Sequence, residues 1–428
     1  MNLKLVDNKN IFRKMEGFIE MEMNKFKKTR FTFYWVFIVG YLFIGHSLQD
    51  QFVSAVIIGI GLLIAIESSE IAVEGMDQLS KKFGLSPYVA GVLSSLASNT
   101  PELVIAGFAV MAGKTDFAIA LITVATGFNI LMLGILVMLG NHLRKGPIEL
   151  PKEVIEVEVP IMRVAIVILG SIFVIGIVEF ALEIYQKVQA PDPSIIDLVP
   201  RLPIEGSLLM VIVYLFYIFF IIKHNISQNK NKEVLVASDT QHEEFSSHKH
   251  DSVTKKVLFG FLFLAFAGIF AGGEMISSSV EFLAEEIGID EFIIAFVIGA
   301  AASIPEHFIA LIAAKKEGGI ELGLGNLMAG AMQNLLFIFG LTGIISGIAA
   351  WLSIHPEVNS IHGLQLVHHT SNDVIPFILV QIGFSWLLLL LIKTSITDDR
   401  RMDTYEGFTI FIAQTFVFVI FLKGILGI

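Results

Sequence analysis

The chain of 428 residues contains no cysteine, which excludes disulfides, thiolate metal sites and a cysteine nucleophile and leaves the redox character of its compartment open. Charge is scarce as well. Only 16% of residues are Asp, Glu, Lys or Arg, against 54% hydrophobic residues and a mean hydropathy of +0.75. A soluble domain of this length does not carry that balance. Residues 1–30 end in "KFKKTR" and lack a small-residue cleavage site after a short apolar core, so no signal peptide is expected. The remaining class is a polytopic membrane protein.

A bilayer core takes roughly 17 to 25 apolar residues per helix. The sequence offers about eleven such segments, near 31–48, 52–78, 86–111, 116–140, 160–186, 205–222, 257–283, 290–314, 319–350, 374–392 and 405–427. The expected fold is therefore an all-α membrane protein, in the plasma or inner membrane. With the N-terminus in the cytoplasm, only Lys114, Lys187, Arg201 and Lys423 of the 29 basic residues fall outside, which is a strong positive-inside bias. The C-terminus is then expected outside. The net charge of -11 adds little, because topology follows Lys and Arg. No nucleic acid is expected among the partners, which are the bilayer and inorganic cations, and nothing in the sequence fixes an oligomeric state.

One long polar interruption, 223–256, divides the chain and reads as a cytoplasmic linker; its "HKHD" is a weak metal signal. Self-comparison at an offset of 204 residues superposes two segments without a gap. Glu70 falls on Glu274, Asp77 on Glu281, Gly84 on Gly288, and Pro101-Glu102 on Pro305-Glu306. The expected domains are a cytoplasmic segment 1–30, an extra helix 31–48, a first half 52–222 with its repeated motif at 67–134, and a second half 257–428 with its motif at 271–340. On the predicted topology Glu102 and Glu306 lie on spans that enter from opposite faces. The two five-helix repeats are thus inverted, the architecture in which secondary transporters place ion sites near the midplane at broken helices.

Each repeat centres on Pro-Glu within an apolar run, in "LASNTPELVIAGF" and "AASIPEHFIAL". Proline lacks an amide hydrogen and kinks its helix, freeing carbonyls beside a carboxylate. Intramembrane carboxylates are costly and functional by default, and neither span holds a Lys or Arg to neutralise them. Their structural alternative is a packing kink with a hydrogen-bonded glutamate. Ser98 and Ser303 lie one turn before Glu102 and Glu306, and Asn99 stands beside Ser98. Asn129 and Gln333 each follow the repeat glutamate by 27 residues, and read as ligands or as interhelical glue. An oxygen-rich site with two carboxylates and no thiolate suits a hard cation such as Ca²⁺. It suits protons too, since two adjacent carboxylates in a low dielectric do not both stay ionised once the metal leaves.

Glu67, Glu70, Glu74 and Asp77 recur at helical spacing, as do Glu274, Ser278, Glu281 and Glu285. Such stripes read as aqueous vestibules or proton relays, or, for the later members, as residues at the water interface; Glu70, Glu74, Glu274 and Glu281 are the relay candidates. His307, directly after Glu306, is a further relay candidate or a structural histidine.

At these motifs the sequence resembles the calcium/cation antiporter superfamily, in about 70 residues of each half. "ASNTPELVIAGFAVMAGK" looks like its first alpha repeat and "AASIPEHFIALIAAKKEGGIELGLGNLMAGAMQNLLFIFG" like its second. The Glu306-His307 pair and "GAMQ" lean toward the calcium/proton exchanger branch. The resemblance implies that Glu102 and Glu306 are the central ion-binding glutamates, with Ser98, Ser303, Asn129 and Gln333 at further ligand positions. Asn99, Ala302, Ala125 and Ala329 or Gly330 stand where the family has hydroxyls, which implies fewer sodium ligands. The expected function is secondary exchange of Ca²⁺, or a similar divalent cation, for H⁺ rather than Na⁺, with no enzyme activity and no cofactor. The Ser-x-Pro-Glu wording leans instead to the sodium/calcium branch, so a sodium/calcium exchanger of the same superfamily is the alternative; a cation channel and a two-acid intramembrane hydrolase are the rival readings from other classes.

Overall fold

In lipid the backbone finds no water, so apolar runs of this length close their hydrogen bonds internally as helices. The computed structural model describes residues 51–189, 201–239, 255–282 and 290–426, except positions 83, 305–306, 308–309, 312–313, 315–318, 356–363, 367, 370–373 and 376. The helices are α1 (Gln51–Lys82), α2 (Pro87–Ser98), α3 (Thr100–Met111), α4 (Thr115–Arg144), α5 (Val159–Gln189), α6 (Ile204–Asp239), α7 (Lys255–Phe282), α8 (Glu291–Ala302), α9 (Gly319–Met332), α10 (Phe339–Trp351), α11 (Phe377–Asp399) and α12 (Thr404–Leu426). Among the described residues nine helices are long and apolar enough to cross a membrane, and Glu291–Ala302 is a shorter apolar one. The predicted span at 31–48 lies outside the described residues, so the count of eleven does.

Two π-helical segments depart from regular geometry. Val154–Glu158 leads into α5, and Gln333–Ile338 joins α9 to α10 inside one membrane-length span. Two sequence boundaries differ from expectation. The span expected from 160 begins several residues earlier and takes Glu153 and Glu158 into the protein, where both are buried. Helix α6 continues to Asp239 through the first part of the polar stretch expected as a linker. That stretch opens with helix-favouring Lys, Gln, Glu and Leu, which continue a helix once one has been nucleated.

The two halves pack as a two-fold pair. Helices α1 and α7 cross at glycine, where a side chain on Gly272 would meet the carbonyl oxygen of Gly61 and one on Gly268 would meet Ser68. These contacts run in opposite order along the two helices, so α1 and α7 are antiparallel. Because α7 repeats α1, the halves are inverted. The same exchange recurs outward: α2 packs on α9 while its counterpart α8 packs on α4, and α4 packs on α12 while α10 packs on α6. Loop contacts follow suit. Strand β1 (Ile148–Glu149) pairs with β6 (Arg401–Met402), whereas β2 (Arg201–Leu202) pairs with β3 (Leu364–Gln365). A further hairpin joins β4 (His368–His369) to β5 (Val374–Ile375).

The repeat also sets the starts of its broken helices. Ser86 caps α2 by accepting from the Val89 amide at 3.4 Å, and Asp290, 204 positions later, caps α8 by accepting from the Phe292 amide at 2.8 Å. A short polar side chain at this position satisfies one of the otherwise orphaned amides of the first turn. From these caps the half-helices run inward, so their far ends meet inside the protein. Helices α2, α3 and α4 are largely buried, whereas α5, α6 and α12 turn Val167, Phe216 and Phe416 outward toward lipid.

Candidate cation site between the two helix breaks

Both half-helices stop at equivalent positions. Helix α2 ends at Ser98 with Asn99 as its cap, and α8 ends at Ala302 with Ser303 as its cap; positions 99 and 303 are one repeat apart. The break falls two residues before the proline rather than at it. Residues ahead of proline are pushed out of the helical region, and Pro101 then fits the first turn of α3, where its missing amide hydrogen costs nothing.

The carbonyls freed at the first break are not left bare. Thr100 Oγ1 donates to the Leu96 carbonyl at 2.7 Å, and Ser69 Oγ, from α1, lies 3.4 Å from those of Ala97 and Ser98. Ser98 turns its own hydroxyl back onto the Ser95 carbonyl at 3.2 Å. The oxygens expected at the kink are thus each met by a hydroxyl. Ser69 was not singled out from sequence, and only its place beside the acidic stripe of α1 could have pointed to it.

Side chains at the breaks pair across the two repeats. Ser303 Oγ lies 3.2 Å from Glu102 Oε1 and 2.9 Å from the Gly299 carbonyl, its single hydrogen shared between these two acceptors. Asn99 Nδ2 donates to the Gly330 carbonyl at 3.3 Å and reaches toward Gln333 Oε1 at 3.5 Å. His307 Nε2 lies 2.9 Å from Asn129 Oδ1. The first repeat's break thereby meets the second repeat's third helix, and the second repeat's break meets the first repeat's third helix. Glu102, Asn99 and Asn129 are fully buried, and Ser303 and Gln333 almost so.

Several polar atoms here remain unsatisfied. Among the described residues, Glu102 Oε2, Asn99 Oδ1 and Asn129 Nδ2 are buried without a hydrogen-bond partner. A buried polar atom left unpaired costs about 1 to 3 kcal/mol, and more when charged, so a cluster of them marks a place built for something else to bind. Two of the three are oxygen acceptors suited to a cation. The end of α2 faces the same break, its carbonyls already met by hydroxyls, so the side-chain oxygens are the open acceptors there. Among the described residues no three of His, Asp or Glu converge on one point. Gln333 opens the π-helical segment, an irregularity often found at functional sites.

The other predicted residues lie as follows. Pro305 and Glu306 are outside the described residues, as is Glu285. Glu67 and Glu70 on α1 and Glu274 on α7 are half-buried, and Glu74 is exposed. Asp77 and Glu281 lie on α1 and α7, with their side chains outside what the structure describes. Asn326 and Asn334 are buried on the span that carries Gln333. Gln414, unremarked in the sequence, is buried on α12 against Gly127, two residues before Asn129.

Two salt links brace this core at its edges: Lys114, the cap of α4, with Glu291 at 3.1 Å, and Arg144, in the last turn of α4, with Glu321 at 2.7 Å. Both join one half to the other.

Comparison with known proteins agrees with this architecture. The family described as "Sodium/calcium exchanger protein" matches residues 53–223 and 257–423. Inner membrane protein YrbG of Escherichia coli (strain K12) is 22% identical over 289 residues, covering 67% of this chain and 78% of that protein. The crystal structure of the H⁺/Ca²⁺ exchanger CAX superposes with a TM-score of 0.64 at 15% identity, over 94% of this chain and 93% of that one. The sodium-calcium exchanger NCX_Mj superposes at 0.52, with 15% identity over 86% and 99%. The family match spans most of both halves and leaves out the polar stretch between them. The chain is a multi-pass membrane protein that belongs to the sodium/calcium exchanger family, within the calcium/cation exchangers, a family of transporters and not of enzymes.

Proposed function

We propose that this protein is a secondary active antiporter that exchanges Ca²⁺, or a similar divalent cation, for H⁺ by alternating access at the junction of the two helix breaks. The observation that carries this reading is Glu102: fully buried, one oxygen held by Ser303 of the opposite repeat, the other without a partner. Ca²⁺ takes 6 to 8 oxygen ligands. Glu102, Glu306, Asn99, Ser303 and Gln333 supply them in this reading, with Ser98 and Asn129 beside them and His307, Glu70, Glu74, Glu274 and Glu281 leading protons or cations to the site.

A proton competes with the metal for the same carboxylate oxygens, which gives exchange without a second binding locus. Sodium is the less suited counter-ion here because Asn99 and Ala302 stand at positions where hydroxyls would bind it, and because the Ser98 hydroxyl is turned to its own helix. We place the N-terminus in the cytoplasm and the C-terminus outside on the Lys and Arg distribution.

Counter-transport in proteoliposomes tests the reading. A proton gradient should drive ⁴⁵Ca²⁺ uphill, and Glu102→Gln and Glu306→Gln should each abolish it. Uptake driven by sodium and not by protons would assign the protein to sodium coupling, and wild-type flux in both variants would overturn the site.

A further inference from the structure

Outside the cation site the protein buries a second carboxylate. Glu158 ends the π-helical segment Val154–Glu158 at the start of α5 and is fully inaccessible. Among the described residues neither of its oxygens meets a donor at hydrogen-bond geometry. The polar group against it is the phenol of Tyr217 on α6, itself fully buried. From Lys223, at the end of the apolar part of α6, Tyr217 lies six residues inward, or about 9 Å of helix.

Among the described residues the charged groups around this seam leave Glu158 without a cation. On its own segment Glu153 is bonded by Asn225 at 3.4 Å and Glu156 pairs with His224 at 3.1 Å; Arg163, a turn on, is exposed. Helix α6 contributes Tyr214 and Tyr217 at this level and Lys223 and His224 nearer its polar end. Helix α11 packs antiparallel on α5, with Gly170 against Trp386 and Gly176 against Leu379, and ends near this level in Asp398 and Asp399, both exposed. An ionised carboxylate in such a place has no counter-charge, and buried acids in that position neutralise instead. A route in exists. A cleft of about 500 Å³, lined by Glu156, Val157, Phe220, Lys223 and His224, opens beside the segment that holds Glu158.

The seam also touches the candidate site. The rings of Tyr217 and Tyr214 lie 5.7 Å apart at a tilt of 51°, and Tyr214 meets Phe337 at 5.3 Å. Phe337 belongs to the π-helical segment opened by Gln333, one turn before it.

We propose that Glu158 is a second proton-binding site, separate from the cation site, whose proton holds the α5/α6 seam closed and, through Tyr217, Tyr214 and Phe337, keeps the segment bearing Gln333 in place. Its ligand is a proton delivered from the cleft past Glu156 and His224. Loss of that proton leaves a bare charge that draws water into the seam, so cation affinity falls when Glu158 ionises. The spectroscopic test below is independent of the exchanger reading; only the second readout rests on it.

Infrared difference spectra of the whole protein in lipid vesicles, titrated with pH, test this directly. A carboxylic C=O band should persist in saturating Ca²⁺, be absent in Glu158→Gln and be kept in Glu102→Gln. In transport, wild-type apparent Ca²⁺ affinity should fall by about fivefold at the alkaline end, the scale of a typical coupling between sites, while Glu158→Gln, a fixed neutral side chain, should not show that fall. Should Glu158→Gln fail to fold, Tyr217→Phe is expected to shift the frequency of the same band without changing the volume packed. Absence of a Ca²⁺-insensitive band, a Glu158 band removed by Ca²⁺, or an unshifted band in Tyr217→Phe would each overturn the proposal.

Discussion

The hydroxyl of Ser303 donates to Glu102 Oε1 at 3.2 Å, joining residues 201 positions apart that end or follow equivalent helix breaks in the two halves. A carboxylate of one repeat is therefore held in place by the cap of the other. Because its two partners belong to different repeats, relative motion of the two breaks would change this contact, as alternating access at the proposed site requires.

Ser303→Ala removes a hydrogen bond to a charged group, worth about 1.5 to 3 kcal/mol. Apparent Ca²⁺ affinity in ⁴⁵Ca²⁺ uptake should drop by about tenfold or more, since 1.4 kcal/mol is a factor of ten. Ser303→Thr, which keeps the hydroxyl, should recover most of it. An affinity unchanged in Ser303→Ala would remove this residue from the site.

His307 and Asn129 lie 2.9 Å apart and are both buried, so their substitutions should not add. In a double-mutant cycle of Asn129→Ala with His307→Ala, thermal stability in detergent is expected to show a coupling of about 0.5 to 3 kcal/mol. Additive effects would mean that the pair does not act as a unit.

Gly272→Ala places a Cβ 2.5 Å from the Gly61 carbonyl oxygen, a backbone atom that cannot swing aside. Overpacking of this kind costs about 1 to 3 kcal/mol, and a lowered melting temperature should report it. Gly59→Ala on α1 and Gly260→Ala on α7 meet open space and serve as controls with little change expected. Equal melting temperatures for all three would show that α1 and α7 do not cross so closely.

Arg144→Ala breaks the 2.7 Å link to Glu321, yet both side chains are a quarter or more exposed. Such pairs contribute about 0 to 1 kcal/mol, so stability should barely change and the change should shrink further in high salt. A large, salt-independent loss would mean that the link is buried in the membrane-embedded protein.

Asn99→Ser swaps an amide for a hydroxyl at the first break and removes the contacts with the Gly330 carbonyl and Gln333. If hydroxyl content governs the counter-ion, external Na⁺ should compete with ⁴⁵Ca²⁺ uptake in this variant more strongly than in the wild type. Equal competition would separate sodium preference from position 99.

How much was legible beforehand depends on the range of the forces involved. The break beside Pro101 is local, and its recurrence at an offset of 204 marked it from the chain alone; the caps at Ser86 and Asp290 were not singled out there. The break itself moved by two residues because the residues preceding proline, rather than the proline ring, leave the helix. The fate of the freed carbonyls was not legible, since Ser69 reaches them from another helix.

Glu158 shows the opposite limit. In "PKEVIEVEVP" its acids fall ahead of the span expected from 160, because nothing nearby shows that α6 will cover them. Burial there is a consequence of packing against Tyr217, over a sequence distance of 59 residues.

By itself the sequence determined that the chain lives in a membrane, that it consists of two inverted copies, and that each copy carries a glutamate after a proline. Those facts rest on hydropathy, Lys and Arg placement and repetition, which act along the chain. Only the tertiary structure decided which atoms meet: that Ser303 serves Glu102, that Asn99 reaches toward Gln333, that His307 lies beside Asn129, and that Glu102 keeps one oxygen unpaired. The reason is physical. Such pairings arise where two half-helices entering from opposite faces end at one depth, and that meeting is set by the packing of α1, α4, α7 and α9 rather than by any local preference of the residues.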